Sequence, residues 1–327
     1  MTAPAASGRL AVVLAGPTAT GKSELAVLLA ERVGGEIISA DSRQAYRGLR
    51  IGTAAPSEQQ LARVPHHGVG FLAPDERYGA GRFSDLARVW MAGTWGRGLV
   101  PIVAGGTGFF LRAVWQPLFG EPELEPARRR DLETALSTLS PERLAAWASR
   151  LDPDLAERLP NLDPQRSLRA IEVALLTGRP LSSWQAEARE GRLPEPLAPG
   201  APVYVLELPA EEHRARIRAR AEHLLDSGWT DEVRTLLETT PDMKAPAFTS
   251  IGYRHVANLV RGELPRAEAL ERICQDTWQY ARRQRTWCRH QLPPHAVRLD
   301  AELPSGELAD RIVSDLQSLQ RQTDTTT

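Results

Sequence analysis

The chain has 327 residues, 42% hydrophobic and 25% charged, which excludes wholesale disorder and allows a full core with room for a second domain. A formal net charge of −1 excludes a global basic field, so any nucleic-acid site must be a local patch. Cys274 and Cys288 would stand about 21 Å apart along one helix, which argues against a disulfide or a cysteine-based zinc site.

Met1 to Arg9 is small and polar, and the apolar run after it is too short for a signal-peptide core or a membrane span. A cytoplasmic protein with no membrane partner is expected. Leu10 to Ala15 reads as a buried strand and Glu24 to Val33 as a helix. Between them Gly16, Pro17, Thr18, Ala19, Thr20, Gly21, Lys22 and Ser23 complete a G-x-x-x-x-G-K-S loop. In that setting the glycines let backbone N–H groups turn onto an anion, Lys22 adds a point charge, and Ser23 offers a hydroxyl to Mg²⁺ at a helix N-terminus. The spacing predicts a bound diphosphate or polyphosphate and leaves open whose it is.

A second strand, Glu36 to Ala40, ends at Asp41. That carboxylate reads either as a turn or helix-capping aspartate, or as a group that holds Mg²⁺ through water or accepts a proton from a nucleophile. His66 and His67 are adjacent, and on extended chain they point to opposite sides, which argues against a shared metal ion. Leu99 to Ala104 is a third strand, followed by Gly105-Gly106-Thr107-Gly108 and a helix over Phe109 to Trp115. The glycine-rich turn is either a tight turn with a capping Thr107 or a second set of donors at the sheet rim. The strand before it lacks the terminal aspartate that a hydrolytic P-loop protein uses for Mg²⁺. The expected fold is α/β, a P-loop NTPase-like parallel sheet with helices on both faces and its site at the carboxyl ends of the strands.

After residue 118 the chain turns to Arg-, Glu- and Ala-rich helical stretches separated by prolines, and a strand signal returns only at Val203 to Leu208. The reading is therefore a core over 1–118 and 201–320, a helical insertion over 119–200, and a frayed tail over 321–327. Glu211 to Ser227 is a helix closed by Gly228, and a long helix runs from Pro265 to about Gln291. On that helix Trp278, Arg282, Arg285 and Arg289 fall at i, i+4, i+7 and i+11, making a basic face with an aromatic neighbour. The face suits a nucleic-acid backbone with unpaired bases stacked on rings, or else is a solvated charged surface over core aromatics. Arg128 to Arg130, Arg166 and Arg169 in the insertion carry the same two readings.

These motifs together resemble the bacterial tRNA dimethylallyltransferase family. The resemblance runs through Gly16 to Ser23, Asp41-Ser42-Arg43-Gln44 with Ile51-Gly52-Thr53-Ala54, Pro65-His66-His67, Pro101 to Gly108, Asp163 to Arg166 with Arg169, Ile251-Gly252-Tyr253, and Gln279 to Trp287. It implies that the loop holds the diphosphate of dimethylallyl diphosphate, with Lys22, Ser23 through Mg²⁺, and Arg220 stabilising the leaving group. Asp41 would take the proton from the exocyclic amine of an adenine flipped out of the anticodon loop, beside Thr107. Asp41, Ser42, Arg43, Gln44, Thr107, Arg129, Gln165, Arg166, Arg169, Gly252, Tyr253, Arg254, Arg282, Arg283, Gln284, Trp287 and Arg289 would face the tRNA anticodon stem-loop. The insertion would then close over that arm, and a monomer is expected. Ala55 and Thr249 depart from the family pattern at two such positions. The alternatives are a P-loop kinase for a small metabolite, a prenylating enzyme for free adenine nucleotides, and a nucleotide-gated RNA-binding protein without transfer activity.

Overall fold

Each apolar run in the core sequence becomes a strand because both of its faces are covered. The computed structural model describes residues 10–116, 122, 124–159, 162–187, 190, 195–240, 242–243 and 245–324. The chain divides into two compact units, Met1–Gln116 with Pro196–Thr327, and Pro117–Glu195. The sequence-based boundary at 118/119 falls outside the described residues.

The first unit begins with β1 (Val12–Ala15), α1 (Lys22–Val33), β2 (Gly35–Ala40), α2 (Glu58–Arg63), β3 (His66–His67), α3 (Ala80–Gly96), β4 (Val100–Gly105) and α4 (Gly108–Trp115). The second unit is α5 (Pro126–Leu136), α6 (Pro141–Leu151), α7 (Pro153–Arg158), α8 (Pro164–Thr177) and α9 (Leu181–Glu187). The chain returns with β5 (Val203–Glu207), α10 (Ala210–Asp226), α11 (Trp229–Thr239), α12 (Tyr253–Val260), α13 (Arg266–Gln291), β6 (Val297–Asp300) and α14 (Ser305–Asp324).

The six strands lie in the order β3-β2-β4-β1-β5-β6, and every pairing is parallel. Val12, Leu14, Ile37, Ile102, Tyr204 and Leu206 join Leu25 and Leu29 of α1 and Ile312 and Leu316 of α14 in one core. Their neighbours Val13, Ile38, Val103 and Val205 face the other way and are equally buried, so both faces of the sheet are covered as the sequence predicts. The strands β3 and β6 and the helices α2, α3, α11, α12 and α14 are not anticipated. A two-residue strand carries no periodicity, and Val-Arg-Leu-Asp in β6 is too short to separate from a loop. The tail expected to fray from 321 is helical to Asp324, and 325–327 lie outside the described residues. Among the described residues no helix is long and apolar enough to cross a membrane.

In the second unit the prolines that punctuate the sequence are helix openers. Pro126, Pro141, Pro153 and Pro164 each stand in a first turn, behind the N-cap residues Glu125, Ser140, Asp152 and Asp163, whose side chains accept backbone N–H groups. Asp152 is buried, caps α7 through Leu155 N–H (3.0 Å) and also accepts from Ser182 N–H of α9 (2.8 Å). Leu136, Leu144, Ala148, Leu155, Ala170 and Ile171 form this unit's core.

Glu36 opens β2 at the end of the sheet away from Asp41, buried to 4% exposure. Burial raises its carboxyl, but hydrogen bonds from Arg97, His67 and Thr94 outweigh that and hold it down at about 2. His67 Nε2 lies 2.8 Å from this carboxylate while His66 Nδ1 lies 2.8 Å from Val64 O, so the paired histidines serve separate partners. A depressed carboxyl stabilises the fold above its unfolded value and loses that contribution as pH falls from about 4.5 toward 2. With Arg97 half exposed, the contribution is about 2 kcal/mol after allowance for solvent screening. Glu36→Gln should flatten the acid limb of a denaturation curve between those pH values; an unchanged limb would assign acid unfolding to other carboxylates.

Candidate active site

The loop between β1 and α1 is shaped for an anion. Gly16 has φ +147°, and an added Cβ would come within 2.9 Å of Leu206 O, so no larger residue fits that turn. No side chain caps α1, whose first-turn N–H groups and positive dipole end face the cleft. Thr20 Oγ1 donates to Pro17 O (2.9 Å) and Lys22 Nζ donates to the same carbonyl (2.5 Å), which closes the loop on itself. Burial and the neighbouring Arg220 guanidinium pull the Lys22 ammonium down to about 8, against the opposing pull of Asp41 and Cys288. Arg220 reaches in from α10, donating to Thr18 Oγ1 (3.3 Å) and Thr53 O (3.4 Å), and burial lowers its pKa. Thr18, Lys22, Ser23, Asp41, Arg220 and Tyr280 line one cleft of about 980 Å³.

Asp41 stands at the carboxyl end of β2, on the far side of this cleft. Its Oδ1 accepts from the N–H groups of Arg43 (2.8 Å) and Gln44 (3.4 Å), while Oδ2 takes no hydrogen bond among the described residues. Oδ1 thus serves the turn-capping reading, and Oδ2 stays open to the chemical one. Thr107 Oγ1 accepts from Ser42 N–H (3.2 Å), which ties the ends of β2 and β4 together beside Asp41, with Tyr280 as a neighbour. Burial and the Asp41 charge raise the Tyr280 phenol to about 12, so it stays neutral. The glycines around Thr107 are required by close approach: a Cβ on Gly106 would lie 2.3 Å from Gln284 Nε2, and one on Gly108 would lie 2.4 Å from the Trp287 ring.

The structure separates the residues expected to face RNA into those that are exposed and those used inside the fold. Gln44 donates to Ala54 O (3.1 Å), Tyr253 is fully buried and donates to Glu232 Oε1 (2.6 Å), and Gly252 packs against the Trp229 ring. Gln284 is 7% exposed, with Oε1 accepting from Thr18 N–H (2.9 Å) and Nε2 donating to Gly106 O (2.9 Å). Arg43 donates to Thr249 Oγ1 (2.7 Å), so the departure at Thr249 supplies this arginine with an acceptor. In the second unit Arg129 and Arg169 pair with the buried Glu172, at 2.7 and 3.4 Å, while Gln165 and Arg166 are exposed at the start of α8. Six of the expected contacts, Gln44, Arg129, Arg169, Gly252, Tyr253 and Gln284, thus have internal roles, because side-chain direction within a motif is set by packing.

The basic face predicted on α13 divides in two. Arg282 and Arg283 join Phe109, Arg112, Trp287 and His290 around a hollow of about 860 Å³, whereas Arg285 and Arg289 line a separate one of about 420 Å³ near the ends of β5 and β6. Arg254 is exposed at the start of α12. Trp278 does not present a free ring: Arg214 covers one face at 4.2 Å and His213 meets its edge at 5.7 Å. Sequence reasoning missed Tyr280, His213 and the internal use of Gln284. For Tyr280 and Gln284 the available signal is their i, i+4 spacing on α13, which places both on the cleft side.

The chain is similar to known proteins along most of its length. The family model described as IPP transferase matches residues 44–291, and that described as Isopentenyl transferase matches residues 10–66. A tRNA dimethylallyltransferase of Anaeromyxobacter dehalogenans is 41% identical over 293 residues, covering 88% of this chain and 94% of that one. One from Rhodopseudomonas palustris is 42% identical over 285 residues, covering 86% and 89%. Among solved structures, a tRNA delta(2)-isopentenylpyrophosphate transferase from Staphylococcus epidermidis superposes with TM-score 0.67 at 28% identity, covering 95% of this chain and 99% of that one. A eukaryotic dimethylallyltransferase described as acting on tRNA gives TM-score 0.73 at 26% identity, covering 90% and 74%. With the phosphate loop, Asp41 and the α13 motif all inside the matched segments, the chain belongs to the IPP transferase family.

Proposed function

We infer that the protein is a tRNA dimethylallyltransferase, moving a dimethylallyl group from dimethylallyl diphosphate to the exocyclic amine of the adenine adjacent to the anticodon. The observation that carries this reading is the single cleft in which an anion loop with Lys22 and Arg220 faces a carboxylate, Asp41, that has one uncommitted oxygen. The names borne by the similar proteins support the donor and the RNA acceptor.

In the transfer, the amine nitrogen bonds to the first carbon of the donor as that carbon's bond to the diphosphate oxygen breaks. Lys22, Arg220 and the N–H groups of the loop and of α1 hold the leaving group and stabilise the charge it gains. Asp41 takes the proton released by the amine, and Thr107, held by Ser42 N–H, stands beside it to position the base. The adenine must leave the loop stack to reach the cleft, at a modest cost because loop bases are unpaired. Exposed Arg282, Arg283 and Arg289 and half-buried Trp287 are assigned to the RNA backbone and its bases, with Arg254, and Gln165 and Arg166 of the helical unit to the anticodon arm.

Among the described residues no cluster of His, Cys, Asp and Glu could by itself hold a metal ion. Mg²⁺ nonetheless fits, since it is commonly held by one or two protein oxygens with phosphates and waters completing its shell. Ser23 Oγ, exposed at the start of α1, and Asp41 through water would supply those oxygens, and the ion would neutralise charge on the departing diphosphate. A monomeric, cytoplasmic enzyme completes the proposal. Incubation with Mg²⁺, unmodified tRNA and dimethylallyl diphosphate, followed by mass analysis of digested nucleosides, should show a dimethylallyl increment on adenosine beside the anticodon. Consumption of ATP with a small molecule and no adduct would replace the transferase by a kinase.

A further inference from the structure

His213 is fully buried, yet the transfer chemistry gives it no task. Its Nε2 lies 2.8 Å from Thr18 O, and its Nδ1 is buried without a hydrogen-bond partner among the described residues. A carbonyl accepts, so the ring carries its hydrogen on Nε2, and the neutral form leaves only the Nδ1 lone pair unmatched. Burial, opposed by the bond to Thr18 and reinforced by Arg285, Lys22 and Arg216, lowers its pKa and keeps this neutral form. An apolar side chain would fill the same space beside Trp278 without an unmatched polar atom, so the bond to Thr18 is what distinguishes a histidine here.

Thr18 is held from three directions. Gln284 accepts from its N–H, His213 donates to its C=O, and Arg220 donates to its hydroxyl. In a planar trans peptide the C=O and the following N–H point in opposite directions. Gln284, by accepting the Thr18 N–H, turns the Pro17 carbonyl the opposite way, where it meets Lys22 and Thr20. By the same geometry His213, which does not line the cleft, holds the Thr18 carbonyl and turns the Ala19 N–H the opposite way, toward the cleft that Ala19 does line. Ala19 has φ +62°, a left-handed conformation that is unfavourable for a non-glycine residue and persists only where the surroundings hold it.

We propose that His213 is a positioning residue for the donor: it fixes the Thr18–Ala19 peptide so that the Ala19 N–H is aimed at the diphosphate before binding. This rests on the reading that the loop holds the diphosphate of the prenyl donor. His213 touches neither substrate and acts through the loop.

The test compares wild type with H213L, which fills the space without a donor, and H213Q, whose amide can donate to Thr18 O. Binding of inorganic diphosphate with Mg²⁺, steady-state kinetics in both substrates and tRNA affinity are measured for each. H213L should raise the diphosphate Kd and the donor KM about tenfold, the scale of one lost hydrogen bond, with kcat within about twofold. Its tRNA affinity should stay at the wild-type value, which also reports that the variant is folded. H213Q should recover most of the loss. Wild-type diphosphate affinity in H213L, or H213Q as weak as H213L, would overturn the assignment. Failure of the wild type to bind either diphosphate or dimethylallyl diphosphate would instead overturn the donor-cleft reading, and this inference with it.

Discussion

Asp41→Asn is expected to lower kcat about a thousandfold while leaving tRNA affinity and thermal stability close to wild type. General-base assistance by a positioned side chain contributes about 10²–10⁴ to a rate, which sets the scale. The structure makes this substitution unusually clean. Asp41 Oδ1 caps the turn through Arg43 and Gln44, and the carbonyl oxygen of an asparagine accepts the same two N–H groups, so the rim of the cleft keeps its shape. What asparagine lacks is the basic Oδ2. Single-turnover measurement with saturating tRNA and donor isolates the chemical step; a rate within about threefold of wild type would remove Asp41 as the base and leave it a turn residue.

The parts of this protein that were legible in sequence are those whose signal is local. The phosphate loop and its flanking strand and helix are contiguous, and the apolar runs of β1, β2, β4 and β5 are continuous because they are covered on both sides. Helix α13 was readable from Pro265 to Gln291 because its start and stop are marked by prolines. The internal roles that the structure adds at the site rest mostly on contacts far away in the chain. Gln284 reaches Thr18 across 266 positions and His213 across 195; the i, i+4 spacing with Tyr280 marks the face of Gln284 but not its partner, and His213 carries no local signal at all. Arg129 of α5 pairs with Glu172 of α8, 43 positions away, while Arg169 meets the same carboxylate from three positions back on its own helix. Motif membership thus identified residues that matter without telling which of them touch a ligand and which hold the loops that do.

Lys22→Met is expected to lower kcat/KM for the donor about 10²–10³-fold, the range seen when one preorganised group is removed from a developing anion. The wild-type residue should also leave a signature in pH. Its ammonium sits at about 8 in the free protein because burial and Arg220 disfavour the charge. As pH rises through 8 the free protein loses that proton, and binding an anionic donor then requires taking it back, so donor kcat/KM should fall toward tenfold per pH unit above 8. Bound diphosphate restores the charge balance and favours the ammonium, so the corresponding fall in kcat should appear at higher pH. The stability linkage has the opposite sense: between about 8 and 10.5 the unfolded chain holds more protons at this residue than the folded one, so this group makes the empty protein more stable as pH rises. Lys22→Arg separates charge from geometry. A guanidinium stays ionised, so the alkaline fall near 8 should vanish, but its bulk and planar fork do not reproduce the contact that an ammonium makes inside the loop. An alkaline limb that persists unchanged in Lys22→Arg would assign that titration to another group and leave Lys22 as a fixed charge.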